Sequence, residues 1–179
     1  YRSARLTIDG KPIDLANAAK GKPDIMKKEN SVGIQAPLWA ETIRGYSTVQ
    51  SYVFPKIFGL VERAWNAYPS WGEDNCDSKL YLDERAKYNM LIGKVELPLF
   101  AKYGRNFHIG QPGIIVKDGM LLANKQYPDA VVRYTTDGSE PTAESPAWDK
   151  PVAVPSNAKL IKAKAFYLGK ESVTTFLFL

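Results

Sequence analysis

Two side chains near residue 40 have the types and the spacing of a sugar-binding site. Trp39 and Glu41 lie two residues apart at the end of the stretch 33–41, so in an extended chain they point the same way. An indole face packs against the C–H face of a sugar ring, and a carboxylate accepts hydrogen bonds from hydroxyl groups. A core tryptophan beside a solvated glutamate is the alternative, and this stretch by itself favours that alternative.

A short buried strand over residues 32–39 is the element that would position this pair. Every second residue is apolar and falls on one face, which is the period of a strand; these residues are Val32, Ile34, Ala36 and Leu38. Pro37 has no N–H group for a ladder, so the strand must be nearly over by that residue.

Helical patterns follow this strand. The first covers about 47–67, where Ser47 and Gln50 have the spacing of a capping box and Pro55 predicts a break at 54–55. The second covers about 79–103, with Gly104 placed as its C′ residue. Gly93 and Pro98 should weaken or bend this second helix.

The composition changes at residues 108–113, and the remainder of the chain has an all-β pattern. Strands are predicted at 131–135, 159–167 and 172–179, with Asp137 and Gly138 as a hairpin turn and a further turn at 168–171. Ile161, Ala163 and Ala165 alternate with lysines, so one face of their strand should be buried. Short strands separated by frequent turns predict a small sandwich.

Two groups of motifs resemble known proteins. The first consists of Gln35, Leu38, Trp39, Ala40 and Glu41, then Phe54, Pro55 and Lys56, and then Glu62, Arg63, Ala64 and Trp65. It resembles the last strand and helix of the catalytic barrel of family 20 glycoside hydrolases, the β-N-acetylhexosaminidases, and covers roughly 32–107. The second, at 133–142, resembles the C-terminal sandwich module of chitobiases and related bacterial hexosaminidases.

The resemblance implies an α+β chain with two domains. Residues 1–107 would be the C-terminal remnant of a (β/α)8 barrel, with an insertion at 1–31, the last strand at 32–39 and the two helices. Residues 108–179 would be a chitobiase-like, immunoglobulin-like β-sandwich. Trp65 is expected to be core, on a helix stripe that covers the outside of the barrel. The chain starts at Tyr1 without an initiator Met, so we expect it to be a fragment of a longer protein.

The family's chemistry is substrate-assisted retaining hydrolysis, in which the N-acetyl oxygen of the sugar acts as the nucleophile. As the resemblance implies, Trp39 walls the acetamido pocket and Glu41 hydrogen-bonds the outer hydroxyls of a terminal N-acetylhexosamine of a glycan. The catalytic Asp–Glu pair of the family is not in this chain. Asp83 and Glu84 are adjacent acidic residues, but the strand context of the family's pair does not precede them. We therefore expect a hexosaminidase parent, no catalytic residue here and no turnover by this chain alone.

Composition removes several other classes of protein. The net charge is +5 with scattered basic residues, so no nucleic-acid footprint is predicted, and no apolar run is long enough to span a membrane. With one cysteine, Cys76, and one histidine, His108, neither an internal disulfide nor a Cys/His zinc site is expected. No cofactor and no metal are predicted.

Two other functions stay open. The chain could be a carbohydrate-binding or adhesion module, with Trp148 or Tyr134 as the aromatic platform, or a structural, partner-docking domain. If the chain folds alone, the strand at 32–39 lacks both barrel neighbours, and we expect its apolar face to self-associate or rearrange. The residues do not fix the compartment; the family resemblance suggests a bacterial periplasmic, cell-surface or secreted protein.

Overall fold

The structure, a computed structural model, describes residues 32–39, 41–66 and 78–179. The chain divides into two compact units, of which one combines Tyr1–Thr42 with Lys56–Glu84 and the other combines Ile43–Pro55 with Arg85–Leu179. The expected insertion at 1–31 and Cys76 lie outside the described residues. Within the described ranges, no helix has both the length and the apolar character needed to cross a bilayer.

The helices lie close to where the sequence predicts them. Those described are α1 (Tyr46–Val53), α2 (Lys56–Trp65), α3 (Ser78–Leu91) and α4 (Leu97–Lys102), with a π-helical turn at Ile92–Glu96 between the last two. Phe54 has an extended backbone between α1 and α2, because the ring of Pro55 disfavours helical geometry at the preceding residue. The predicted break at 54–55 is therefore confirmed.

The strand predicted at 32–39 does not form in this chain. Residues 32–39 have no regular secondary structure, and all of them are exposed, including the apolar set Val32, Ile34 and Leu38. A strand needs a neighbour to satisfy its backbone groups, and the barrel strands that would flank this one are not among the described residues. The apolar alternation is present in the sequence, but the alternation alone does not make a sheet.

The capping box predicted for α1 is also wrong. The helix begins one residue earlier than Ser47, at Tyr46, with Gly45 as N-cap at a φ of 78° and no side-chain cap. Thr48 Oγ1 donates instead to the carbonyl oxygen of Arg44 at 2.7 Å. Gln50 is buried, and its Oε1 accepts the backbone N–H of Asn106 at 3.0 Å. Gln50, which the local spacing assigned to the capping box, makes a tertiary contact with Asn106 instead.

The apolar stripe of α2 is not covered in the described structure. Trp65, predicted to be core, is 86% exposed, and Val61 and Ile57 on the same helix are also exposed. A helix stripe becomes buried only against the surface that it was selected to cover. The expected surface is the outside of a barrel, and the described residues contain no barrel sheet.

The helical run from Ser78 to Lys102 ends as the sequence predicts. Gly104 has a φ of +63°. Its N–H donates to the carbonyl oxygen of Ala101 at 3.0 Å, and the N–H of Arg105 donates to the carbonyl oxygen of Phe100 at 2.9 Å. This pair of bonds is a Schellman motif, which requires a left-handed residue at C′. Gly93 lies in the π-helical turn, and Pro98, which has no N–H to donate, follows directly after this turn in α4, so the regular α-helix is interrupted where the two weak points are expected.

Two antiparallel sheets form the C-terminal part. One sheet has the order β1-β2-β5, and the other has the order β4-β3-β6-β7, with β8 also paired to β6. The strands are β1 (Ile114–Lys117), β2 (Met120–Ala123), β3 (Val131–Thr135), β4 (Ala147–Trp148), β5 (Val152–Ala153), β6 (Leu160–Tyr167), β7 (Lys170–Glu171) and β8 (Thr175–Phe178). The predicted strands at 131–135 and 159–167 are confirmed, and the predicted last strand is shorter than 172–179.

The core of this part lies between the two sheets. Along β6, Ile161, Ala163 and Ala165 are buried in strict alternation, as predicted, and Ile161 and Ala163 join a buried cluster with Ile114, Leu121 and Val132. The β1–β2 hairpin was not predicted. Its turn residues Asp118 and Gly119 both have positive φ, and an Asp-Gly pair between apolar runs is the sequence signal that would have identified it.

Asp137 and Gly138 do not form the predicted two-residue hairpin turn. Strand β3 pairs with β4 through Val132 opposite Trp148 and Arg133 opposite Ala147, so the connection runs over residues 136–146. Asp137 instead makes an isolated parallel bridge to Leu160. The Asp-Gly signal correctly predicts a change of direction, but the long connection places the partner strand further along the chain.

The β-sheets and the second half of the helical region belong to the same compact unit, which continues across residues 107 and 108. Tyr167 Oη on β6 donates to the carbonyl oxygen of Gly93 at 2.6 Å. A Cβ on Gly93 would lie 3.1 Å from the Cβ of Tyr127, a buried residue whose ring stacks 6.2 Å from that of Tyr167. The glycine therefore allows the π-helical turn to approach these two rings closely.

Candidate functional site

The structure places the two predicted sugar-binding residues at the surface. Trp39 is 74% exposed at the end of the irregular segment 32–39, and Glu41 is exposed in a turn with Thr42. A mostly exposed indole leaves ring surface available for a sugar. The core alternative for Trp39 does not hold in this chain.

The adjacent acidic pair at 83–84 lies on the surface of a helix. Asp83 is on α3, and its Oδ2 accepts from Lys79 Nζ at 2.7 Å in an exposed i,i+4 ion pair. An exposed helix-surface ion pair accounts for Asp83 without a catalytic role.

The two aromatic residues considered as a carbohydrate platform on the β-sheets face inward. Trp148 Nε1 donates to the carbonyl oxygen of Leu121 on the opposite sheet at 3.2 Å, and both Trp148 and Tyr134 pack against the buried cluster between the sheets. Both residues are half-buried, and strand register turns their side chains toward the other sheet. This orientation leaves less of each ring open to a sugar, and the platform role of either residue stays a prediction.

The motif at 133–142 is built from structural hydrogen bonds. Asp137 Oδ1 accepts from the Ser139 backbone N–H at 2.9 Å and from Ser139 Oγ at 2.6 Å, which is the geometry of an Asx turn. Glu140 pairs with Lys164 at 3.0 Å and with Lys162 at 3.4 Å. Asp137 and Ser139 therefore shape the loop, and Glu140 attaches it to β6.

Replacing Glu140 by glutamine should remove a pH-dependent part of stability. The Thr174 hydroxyl, followed by Lys164 and Lys162, lowers the pKa of Glu140 from 4.5 to about 2. The folded carboxylate therefore stabilises the chain above pH 4.5, and this contribution is lost as the pH falls towards about 2. Exposed ion pairs contribute about 1 kcal/mol or less. Chemical denaturation should show a Glu140→Gln penalty of this size at pH 6 that shrinks below pH 4.5.

The matched control for this prediction is Glu144→Gln, which neutralises an exposed carboxylate in the same connection between β3 and β4. Glu144 makes none of the lysine contacts of Glu140, so its substitution should leave the dependence of stability on pH between 2 and 4.5 close to that of the parent chain. Equal pH profiles for both variants would contradict the assignment of the low pKa to Glu140.

Asn106 is a functional candidate that the sequence pattern did not identify. Its Nδ2 donates to the carbonyl oxygen and to the Oγ of Ser47, at 3.0 and 2.9 Å. Its Oδ1 accepts from Lys170 Nζ at 2.8 Å and from the Phe107 N–H at 3.0 Å. Together with the bond from its own N–H to Gln50, this side chain joins α1 to the loop after α4 and to β7. A lone Asn in a loop carries no periodic or motif signal.

A groove of about 320 Å³ opens beside α1 and α4 in the same compact unit. Its lining includes the rings of Phe54 and Phe100, whose centroids are 4.4 Å apart. Tyr46 and Arg105 also line it, and Arg105 Nη1 donates to Tyr46 Oη at 3.2 Å. The remaining lining residues are Gln50, Leu99 and Tyr103. The groove is open and mainly apolar, and nothing in its geometry defines a reaction.

No metal centre is visible in the part of the chain that the structure describes. Within residues 32–39, 41–66 and 78–179, no three side chains of His, Cys, Asp or Glu lie close enough together to hold a metal ion. His108 is exposed, and its backbone N–H donates to the carbonyl oxygen of Phe54 at 2.9 Å.

Comparison with protein-family models gives two matches in the order that the motifs predict. Residues 8–68, which contain Trp39 and Glu41, match the glycosyl hydrolase family 20 catalytic domain. Residues 112–176 match the chitobiase/beta-hexosaminidase C-terminal domain. The first segment thus matches part of a family 20 catalytic domain and the second matches a hexosaminidase-type C-terminal domain, and the resemblance read from the sequence is confirmed.

Two bacterial enzymes are similar to the chain over most of its length. An N,N'-diacetylchitobiase of Vibrio harveyi is 31% identical over an alignment of 135 residues, and the match covers 68% of this chain and 15% of that protein. A beta-hexosaminidase of Vibrio vulnificus is 24% identical over an alignment of 132 residues, and the match covers 63% of this chain and 16% of that protein. The chain therefore spans less than one fifth of the length of these relatives.

Proposed function

We propose that the whole protein to which this chain belongs is a β-N-acetylhexosaminidase that removes terminal N-acetylhexosamine from glycans. The observation that carries the proposal is the match of residues 8–68 to a family 20 catalytic domain, because this segment contains both residues chosen for sugar binding. The two similar enzymes are named for the same class of activity. Glycosidase chemistry also agrees with an indole and a carboxylate two residues apart.

The reaction proposed for the whole protein is substrate-assisted hydrolysis with retention of configuration. The acetamido oxygen of the sugar attacks its own anomeric carbon while an acid protonates the departing glycosidic oxygen, and water then opens the resulting ring. An internal nucleophile requires little beyond orientation, so the walls of the acetamido pocket have a direct effect on rate. In this proposal Trp39 supplies one wall, and Glu41 holds the outer hydroxyls of the sugar.

We do not assign the acid that protonates the leaving group to any residue of this chain. Asp83 is engaged with Lys79 on the surface of α3, and Glu84 is its neighbour on the same helix. We propose that the catalytic pair lies elsewhere in the whole protein and that this chain by itself does not turn over substrate.

The apolar residues exposed at 32–39 support the same proposal. Val32, Ile34 and Leu38 alternate as the residues of a barrel strand do, and in this chain they are exposed. In the whole protein we propose that neighbouring barrel strands cover them. For the isolated chain, self-association through this segment remains a prediction, because an uncovered apolar segment favours contact with another copy.

The test of the proposal is release of nitrophenol from a nitrophenyl β-N-acetylglucosaminide, measured side by side for the whole protein and for this chain. Release by the whole protein and none by this chain is the expected result. Absence of release from both would contradict the proposed activity. Release by this chain alone would contradict the placement of the catalytic pair, and the Asp83→Asn variant would then be the next protein to assay.

A further inference from the structure

We propose that the groove beside α1 and α4 binds an N-acetylated sugar residue of a glycan. All of its lining residues belong to one compact unit, which combines Ile43–Pro55 with Arg85–Leu179. The choice of this ligand class rests on the proposed function, whereas the lining and the chemistry of the groove are those of the described residues. The inference assigns a ligand to residues that the proposed function leaves without a role.

The size and the lining of the groove are those of a site for a small molecule. Its volume of about 320 Å³ falls within the range of roughly 300–1,000 Å³ that such sites have, and aromatic side chains with a few polar groups are their usual lining. The rings of Phe54 and Phe100 are half-buried, whereas Tyr46 and Tyr103 are 68% and 67% exposed. The groove therefore offers aromatic surface that a ligand can cover.

The side-chain amide of Gln50 is the buried polar group of the groove. Only 6% of this residue is exposed, its Oε1 accepts the Asn106 N–H at 3.0 Å, and its Nε2 donates to no other described residue. Within the described ranges, Tyr127 Oη is the one buried side-chain polar atom that lacks both a partner and contact with solvent, so Nε2 of Gln50 is reachable from solvent. Because Gln50 lines the groove and an unpaired buried donor costs free energy, a ligand that accepts this hydrogen bond is favoured.

An acetamido group has the two parts that Gln50 and its neighbours require. Phe54 follows Gln50 by one helical turn, and its N–H donates to the Gln50 carbonyl oxygen at 2.8 Å, so the two side chains share one face of α1. The carbonyl oxygen of an acetamido group accepts from the Gln50 NH₂ group. Its methyl group leaves water and packs against the rings of Phe54 and Phe100, which is favourable. A hydroxyl group in the same place would satisfy the amide but would leave the apolar rings uncovered.

The remaining lining residues suit the rest of a sugar. The C–H face of a sugar ring packs against the exposed ring of Tyr103 or Tyr46. Arg105 Nη1 donates to Tyr46 Oη at 3.2 Å, and the other N–H groups of the guanidinium are left for sugar hydroxyls. None of the described residues that line the groove is an Asp or a Glu, so a cationic ligand is not favoured. A neutral N-acetylated sugar therefore uses each kind of group that the groove offers.

The test is a calorimetric titration of this chain with the β-linked disaccharide of N-acetylglucosamine. The β-linked disaccharide of glucose lacks both acetamido groups and should bind about fivefold more weakly or worse. Gln50→Glu keeps an acceptor for the Asn106 N–H but replaces the NH₂ donor by an oxygen, so Kd for the N-acetylated disaccharide should rise about tenfold. Tyr103→Ala removes an exposed ring and should also raise Kd about tenfold, whereas Tyr103→Phe keeps the ring and should raise it less than about threefold.

The matched control for the tyrosine variants is Tyr52→Ala. Tyr52 lies on α1 and is 41% exposed, but it does not line the groove, so its substitution should leave Kd unchanged. Thermal unfolding of each variant separates a lost contact from a lost fold. Tyr103 is mostly exposed, so Tyr103→Ala should keep the Tm of the unsubstituted chain while it loses affinity. This variant therefore tests the groove even if Gln50→Glu fails to fold.

Four results would overturn the inference. They are absence of binding, equal affinity for the two disaccharides, equal affinity of Tyr103→Ala and the unsubstituted chain, and binding that Trp39→Ala abolishes while the groove variants leave it intact. Self-association of the chain that Tyr103→Ala abolishes, without sugar binding, would also overturn it, in favour of a contact between copies.

The nitrophenyl assay of the whole protein is read separately from this titration. Binding by this chain without turnover by the whole protein would contradict the proposed function and leave the sugar-binding groove in place. Turnover by the whole protein without binding by this chain would contradict the groove and leave the proposed function in place.

Discussion

The Leu97→Ala variant should lose about 2–5 kcal/mol of the free energy of unfolding, the range typical for removing a fully buried leucine side chain. Leu97 begins α4 and has 0% of its surface exposed. The loss combines the transfer free energy of the removed methyl groups with the cost of the cavity that they leave. It is a large fraction of the 5–15 kcal/mol that typically stabilises a folded domain. Chemical denaturation monitored by circular dichroism should show the midpoint falling accordingly.

The matched control is Leu99→Ala, two residues further along the same helix. Leu99 is 46% exposed, so its truncation removes much less buried apolar surface and should cost about 1 kcal/mol or less. Helix propensity changes equally in the two variants, because both replace leucine by alanine. Equal losses for the two variants would contradict the burial difference between them and hence the packing of α4.

The Trp39→Ala variant of the whole protein should lose roughly 10- to 100-fold in kcat/KM for the nitrophenyl glycoside. An indole that packs against a sugar contributes about 1.5–3 kcal/mol through burial of its surface, and each 1.4 kcal/mol corresponds to a factor of ten. Steady-state kinetics measures the effect directly. In this chain by itself the same substitution should leave the unfolding midpoint unchanged, because Trp39 is mostly exposed.

Trp39→Phe serves as the graded comparison, since it keeps a smaller aromatic face at the same position. Its kcat/KM should lie between that of the unsubstituted protein and that of Trp39→Ala. If Trp39→Ala retains the parent's kinetics, Trp39 does not wall the sugar pocket, and the placement of residues 32–39 as the last strand of the barrel would have to be abandoned.

Some of the structure could be predicted because the signal is local. Pro55 interrupts the helix whatever the tertiary fold, because its ring restricts the backbone conformation of the residue before it. Gly104 closes the helical run, since only glycine adopts the left-handed C′ geometry at little cost. The alternation predicted along β6 is found in the structure, because the inner face of each sheet in a two-layer sandwich must be apolar. The motif residues around Trp39 and Glu41 were sufficient to identify the family, which the family models confirm.

The sequence by itself therefore determined the positions of helix ends, the buried face of β6, and the membership of the two matched segments in their families. Only the tertiary structure decided which side chains meet: Gln50 and Ser47 bind Asn106, and Trp148 faces the opposite sheet. It also decided that residues 32–39 form no strand in this chain. The physical reason is that a turn or a cap is satisfied by its own neighbours, whereas a strand, a buried ring and an amide need partners that are distant in the sequence.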